Sequence, residues 1–164
     1  MTLERVILTI IYVISLVLWV WILPRSKWRE LCVALLACQA LTWINSLIHV
    51  QWGLYIFPVR EFPKATNLSF TLEFFLYPFL CAISFIYEPK DSRLKQLCRI
   101  ALWVSIAVAV DVLLNQYTNL VHYIRYTWYC AWVELYVIYW ISNTYTRWFF
   151  KGMRSDTGGE SAYG

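Results

Sequence analysis

The sequence predicts an all-α protein, a bundle of five transmembrane helices. Of its 164 residues, 60% are hydrophobic and 15% are charged, whereas soluble domains carry about 25% charged residues. The mean hydropathy is correspondingly high, at +0.53. Long apolar runs alternate with short charged clusters, which is the pattern of helices that cross the hydrocarbon core of a bilayer. We therefore expect residues 1–150 to form one membrane-embedded bundle.

Each predicted span is an apolar run bounded by polar residues, glycine or proline. We interpret the first as a retained helix, because MTLER carries one acid and one base and no A-x-A cleavage site follows. Pro78 predicts a kink in the third span. The loop over residues 53–67 is long for a connection between packed helices, and we expect it to fold over the mouth of the bundle. The predicted spans are about residues 6–23, 31–52, 68–87, 97–114 and 128–150, followed by a disordered cytoplasmic tail over residues 151–164.

The distribution of basic residues predicts the orientation. Ten of the 14 Lys and Arg residues fall on one side of the five spans and four on the other. Cytoplasmic loops are enriched in Lys and Arg, so we expect the N-terminus outside and the C-terminus in the cytoplasm of a plasma-membrane protein. Retention of these loops in the cytoplasm accounts for the excess of basic residues. The sequence has no basic arm of the kind that binds nucleic acid, so we do not expect nucleic acid as a partner. The richer side holds Arg25, Lys27, Arg29, Lys90, Arg93, Lys95, Arg99, Arg147, Lys151 and Arg154; the other holds Arg5, Arg60, Lys64 and Arg125.

Three acidic residues, Glu73, Asp111 and Glu134, lie inside predicted spans. At a rise of 1.5 Å per residue, all three lie roughly 6–9 Å from the outer ends of their helices. Asn45 and His49 occupy the outer end of the second span. Because intramembrane acids are costly and typically mark functional sites, we predict that these five residues line an outward-facing pocket for a proton, a cation or an amine-bearing ligand.

A structural role for the same acids is the alternative. Polar residues in membrane bundles often serve as interhelical hydrogen-bonding groups, and this role has equal weight for Glu73 and Asp111 and more weight for Glu134. Clustered carboxylates repel one another, so we expect at least one to be protonated or to share a cation. The basic residues that could supply positive charge from the outer side are Arg60, Arg125, His49 and His122.

Motifs of catalysis and of cofactor binding are absent from the sequence. It has no nucleophile elbow, phosphate-binding loop or dinucleotide glycines, and its five irregularly spaced cysteines indicate neither a zinc site nor a disulfide framework. We therefore predict no catalytic residue, cofactor or metal, and favour a non-enzymatic binding, sensing or structural protein. The alternatives are a small transporter or proton/cation pathway, and an enzyme that acts on a lipid or isoprenoid with Glu73 and Asp111 as acid and base. The expected partners are the lipid bilayer and either another protein or further copies of this chain.

Two segments carry a resemblance to a known family. One is FPVREFPK (57–64), followed by the Tyr77–Pro78 pair; the other is QYTNLVHYIRYTWYCAW (116–132), closing on TRWFFK (146–151). Together, over roughly residues 27–151, this pattern resembles a family of small, uncharacterised multi-pass membrane proteins from endospore-forming Gram-positive bacteria. Asp111 fits the family pattern, whereas Glu134 does not clearly belong to it. The resemblance implies a bacterial plasma-membrane protein of about this size, and it carries no activity.

Overall fold

Five α-helices make up most of the structure, which is a computed structural model. It describes residues 3–22, 24–89 and 92–159, apart from the side chains at 20, 22 and 152–159. A single 3-10 turn, Arg25–Lys27, precedes the second helix, and a π-helical segment, Leu72–Leu76, precedes the third. The predicted all-α class is confirmed. The helices are α1 (Leu3–Ile22), α2 (Trp28–Gln51), α3 (Tyr77–Ile86), α4 (Arg93–Tyr117) and α5 (Trp128–Gly159).

The last helix differs most from its predicted bounds. Helix α5 continues to Gly159, so much of the segment 151–164 that we expected to be disordered is helical. The prediction gave weight to the glycines and serines, but Lys151, Met153 and Arg154 flank Gly152, and such residues continue a helix readily. Residues 160–164 lie outside the described residues, as do position 23 at the end of the first predicted span and Lys90 in the charged loop.

Helix α3 lies at the centre of the bundle. Its side chains are almost all buried, among them Phe79, Cys81 and Ala82. Leu31 and Ala34 of α2 pack against one side of it, and Tyr139 of α5 belongs to the apolar cluster that contains Cys81. Among the described residues, the large apolar side chains that are exposed lie outside α3.

Two helical segments are long and apolar enough to cross a membrane, Arg25–Gln51 and Arg93–Tyr117. Leu72–Ile86 is apolar but shorter. The outward faces of α1, α2, α4 and α5 carry large apolar side chains, such as Ile10, Leu36, Leu102 and Val133, which are 50–61% exposed. Exposed apolar surface on this scale is typical of contact with lipid or with a partner.

Two loops at one end of the bundle pair to form a cap, which we define as residues 54–57 and 120–126. Gly53, at φ 65°, ends α2 in the left-handed conformation that glycine adopts without strain. The chain then enters β1 (Tyr55–Ile56), which pairs antiparallel with β2 (His122–Tyr123), so that Tyr55 lies opposite Tyr123. The cap places aromatic side chains over the ends of the helices.

A residue in the loop after β1 also anchors the backbone just before the π-helical segment Leu72–Leu76. Glu61 accepts hydrogen bonds from the backbone N–H groups of Phe70 and Thr71, each at 2.9 Å. A carboxylate at this position satisfies N–H groups that have no partner within the helix and interacts favourably with the helix dipole. Glu61 therefore fixes the segment that carries Glu73.

Candidate binding site

The π-helical segment brings Glu73 into the bundle. Its widened turn is closed by the Tyr77 N–H, which donates to the carbonyl of Leu72, five residues earlier. Pro78 has no N–H, so it cannot donate to the Glu73 carbonyl. The Thr42 hydroxyl of α2 donates to that carbonyl instead, at 3.4 Å. The irregularity expected near Pro78 thus takes the form of a π-helical turn, a feature frequent at functional sites.

The Glu73 side chain is buried without a full set of hydrogen-bond donors. The residue is 2% exposed, and its Oε2 atom has no hydrogen-bond partner among the described residues. The Ser46 hydroxyl lies beside this carboxyl group, and Ser46 itself accepts a hydrogen bond from the Tyr55 hydroxyl at 2.8 Å. A buried carboxyl oxygen without a donor is costly.

Asp111 receives two phenol hydroxyls. Tyr77, one turn after Glu73, donates to Oδ1 at 2.8 Å, and Tyr123 of the cap donates to Oδ2 in a short hydrogen bond. Asp111 is 6% exposed. The two hydrogen bonds connect α4 both to α3 and to β2, so the same carboxyl group anchors the cap and lies in the bundle interior.

Glu134 is held by three side chains. Asn45 donates to Oε2 at 3.2 Å, and the Tyr126 hydroxyl donates to the same oxygen at 2.5 Å. His49 Nε2 lies 3.0 Å from Oε1. Both carboxylate oxygens of Glu134 therefore have a hydrogen-bond partner.

The proton positions on His49 follow from its two contacts. Its Nδ1 lies 2.7 Å from the Asn45 carbonyl oxygen, which only accepts, so Nδ1 carries a proton. The contact between Nε2 and Glu134 Oε1 requires a second proton. Whichever of the two atoms holds that proton, the pair of His49 and Glu134 has no net charge.

The cap tyrosines are hydrogen-bond donors at neutral pH. Burial raises the pKa of Tyr55, Tyr123 and Tyr126 above that of an exposed phenol, and the neighbouring carboxylates raise it further. The three hydroxyls therefore remain protonated. Their rings also pack together, with centroids 5.2–5.3 Å apart from Tyr126 to Tyr55 and to Tyr123.

A cavity beneath the cap joins these groups. Glu73, Asp111 and Glu134 all line it, together with Asn45 and the cap tyrosines. The centres of water-sized molecules can occupy about 40 Å³ of it. A single water needs roughly 10–15 Å³ on this measure, so the cavity accommodates a few waters or one small ion.

The structure brings together the residues predicted from the sequence. Glu73, Asp111, Glu134 and Asn45 line one cavity. His49 does not line it but contacts Glu134, which does. Sequence reasoning missed the tyrosines. The spacing of Tyr77 puts it on the same face as Glu73, and this was the available signal; nothing in the sequence indicated the pairing of β1 with β2 that brings in Tyr123.

The basic residues considered as charge partners lie apart from Glu73 and Asp111. His49 pairs with Glu134, Arg60 Nη1 donates to the Phe57 carbonyl at 3.0 Å, and His122 and Arg125 are exposed. Among the described residues, no group of three or more His, Cys, Asp or Glu side chains is placed to hold a metal. The five cysteines are free thiols.

Comparison with known proteins gives no relative. The chain matches no protein family, no curated protein and no solved structure. The functional argument therefore depends on the chemistry of the cavity.

Proposed function

We propose that the chain is a multi-pass protein of a bacterial plasma membrane, with five crossings and the N-terminus outside. It acts as a non-enzymatic binding or sensing component, and its ligand enters the cavity from the outer side. Association with a partner protein or with further copies of the chain belongs to the same proposal.

The surface of the bundle supports membrane insertion. Two helical segments pass the test of length and hydropathy for a span, and apolar side chains cover the outward faces of four helices. The cap lies at the end of the bundle that carries few Lys and Arg residues, which under the positive-inside rule is the outer end. The resemblance to bacterial multi-pass proteins agrees with this arrangement.

The observation that carries the binding proposal is the Glu73 Oε2 atom. It is buried, it belongs to a side chain that lines the cavity, and no described residue donates to it. Hydrogen bonding in a purely structural role would leave each buried acceptor paired, as it does for both oxygens of Asp111. The unpaired oxygen favours a role in binding.

A proton or cation pathway is the second candidate. Fully buried polar side chains continue below the cavity, where Asn143 contacts Ser84 at 3.4 Å and Cys81 at 3.7 Å, and Thr146 lies one turn further along α5. Asn143 and Thr146 were missed in the sequence. This track supports transport, but its side chains also bond to one another and to the backbone, as interhelical packing requires.

The cavity is small for the third candidate, an enzyme that acts on a lipid or isoprenoid. Pockets for drug-sized ligands measure roughly 300–1,000 Å³. The space beneath the cap therefore favours a small ligand over an isoprenoid chain.

The orientation is tested with two exposed lysines in a cysteine-free background. Lys64 lies in the loop next to the cap and Lys95 near the start of α4. In intact cells, we expect a membrane-impermeant maleimide to label Lys64→Cys and not Lys95→Cys. Labelling of Lys95→Cys alone would reverse the proposed orientation.

Access to the cavity is tested on α2 in the same background. Thr42 lines the cavity, whereas Leu35 lies about two turns further from the cap and does not line it. We expect a small cationic thiosulfonate added outside to modify Thr42→Cys at least roughly tenfold faster than Leu35→Cys. Equal rates would contradict a pocket open to the outer side.

A further inference from the structure

Three phenol hydroxyls around the cavity already donate hydrogen bonds to carboxyl groups of the protein. Tyr77 and Tyr123 both donate to Asp111, and Tyr126 donates to Glu134. Each phenol has one O–H, so none of these three can also donate to a ligand without giving up its carboxylate. Glu73 Oε2 is a buried acceptor in this part of the cavity, and no described residue donates to it.

The same part of the cavity lacks positive charge. His49 Nε2 is engaged by Glu134. Arg60 is turned to the Phe57 carbonyl. Among the described residues, neither Glu73 nor Asp111 has an ion-pair partner. A ligand that supplies both positive charge and N–H donors would satisfy the groups that the protein leaves unsatisfied.

On the basis of the proposed function, we infer that the cavity binds a small ammonium-type cation between Glu73 and Asp111. Ammonium, methylammonium or the terminal amine of a larger molecule belongs to this class. The cation donates N–H to Glu73 Oε2 and balances the charge of Asp111. The aromatic walls formed by Tyr55, Phe57 and Tyr77 suit a cation, because aromatic rings attract positive charge. An anion would meet carboxylates without a basic partner.

The size of the cavity limits which cations can bind in it. At about 40 Å³ for the centres of water-sized molecules, the space admits ammonium or methylammonium and not a tetraalkylammonium ion. A monovalent metal ion has a suitable size but brings no N–H donors. Selectivity for ammonium over sodium therefore separates the two kinds of cation.

The experiment measures binding to the full-length purified protein in detergent at fixed ionic strength. Ammonium, methylammonium, tetramethylammonium and sodium chloride are compared by thermal shift and titration calorimetry. We expect saturable binding of ammonium and methylammonium only. Glu73→Gln should weaken it by roughly tenfold or more, since one charge-assisted hydrogen bond is lost, while Glu30→Gln, at the opposite end of the bundle, should leave it unchanged.

Other outcomes would overturn the inference, and they separate it from the proposed function. Binding of neutral acetamide equal to that of methylammonium, and lost in Glu73→Gln, would overturn the cation class but keep the pocket. Binding of sodium equal to that of ammonium would also overturn the ammonium class and keep the pocket. If no probe binds and outside reagents modify Thr42→Cys and Leu35→Cys at the same rate, both proposals fail. Should Glu73→Gln not fold, Asp111→Asn provides the same comparison.

Discussion

Removing the Tyr126 hydroxyl tests whether the cap is anchored on α5. In Tyr126→Phe, the O–H that donates to Glu134 Oε2 at 2.5 Å is lost. The ring is retained, and so are its contacts with His49 and Tyr55, at centroid distances of 5.4 and 5.2 Å. The substitution therefore isolates one hydrogen bond.

Its expected cost follows from the partners that remain. Hydrogen bonds to charged groups contribute about 1.5–3 kcal/mol. Asn45 still donates to the same oxygen at 3.2 Å, and the Glu134 side chain is 30% exposed, so water replaces part of the interaction. We expect the low end of the range, a loss of about 1.5 kcal/mol in the free energy of unfolding.

The assay is reversible unfolding in mixed detergent micelles. Tyr129→Phe is the matched control, because Tyr129 lies in the first turn of the same helix and is 57% exposed. We expect its free energy of unfolding to stay within about 0.5 kcal/mol of the wild type. Equal losses in the two variants would refute the anchoring role. A double mutant with Glu134→Gln should show coupling of about 1 kcal/mol, and additive losses would equally count against it.

Three further results are expected. Glu61→Gln should lower the free energy of unfolding by about 1–2 kcal/mol, because one of the two oxygens that accept from Phe70 and Thr71 is replaced by an N–H₂ group; Glu30→Gln is the control, and equal losses would argue against capping. Gly53→Ala should cost about 1–2 kcal/mol in unfolding measurements from backbone strain alone, since its Cβ meets nothing within 4 Å; Gly53→Asn should lose less, and an unchanged Gly53→Ala would contradict the strain. Phenols normally ionise near pH 10, so the buried cap tyrosines should stabilise the fold below about pH 10 and lose that contribution as the pH rises above it. Unfolding measured at several pH values tests this expectation. If a variant with Tyr55, Tyr123 and Tyr126 all replaced by Phe had the same pH dependence as the wild type, the raised pKa of these tyrosines would be contradicted.

The convergence of the acids could be predicted because each one interrupts an apolar run. A charged residue in such a run must face the bundle interior, and counting residues from the loop gives its depth. This places Glu73 and Asp111 at the same level without any knowledge of which helices pack together. Helix number follows from the same runs, since each is long and bounded by charges or proline.

The cap could not be predicted in the same way. Its two strands are two residues long each, too short to give an alternating pattern, and their pairing joins positions far apart in the sequence. Asn143 and Thr146 were missed because each is a single uncharged polar residue in an aromatic-rich helix. Their burial depends on how α5 rotates against α3, which residue spacing alone left open.

The wide turn at 72–76 holds one residue more than regular α-helical winding would place there. Removing one of Phe74, Phe75 or Leu76 would let this turn close into regular helix, so the segments before and after it would keep nearly the same orientation. A deletion within α3, for example of Ile83, would instead rotate the residues on one side of it by about 100° relative to those on the other. The chain should consequently tolerate the loss of a residue from the wide turn far better than the loss of one from α3.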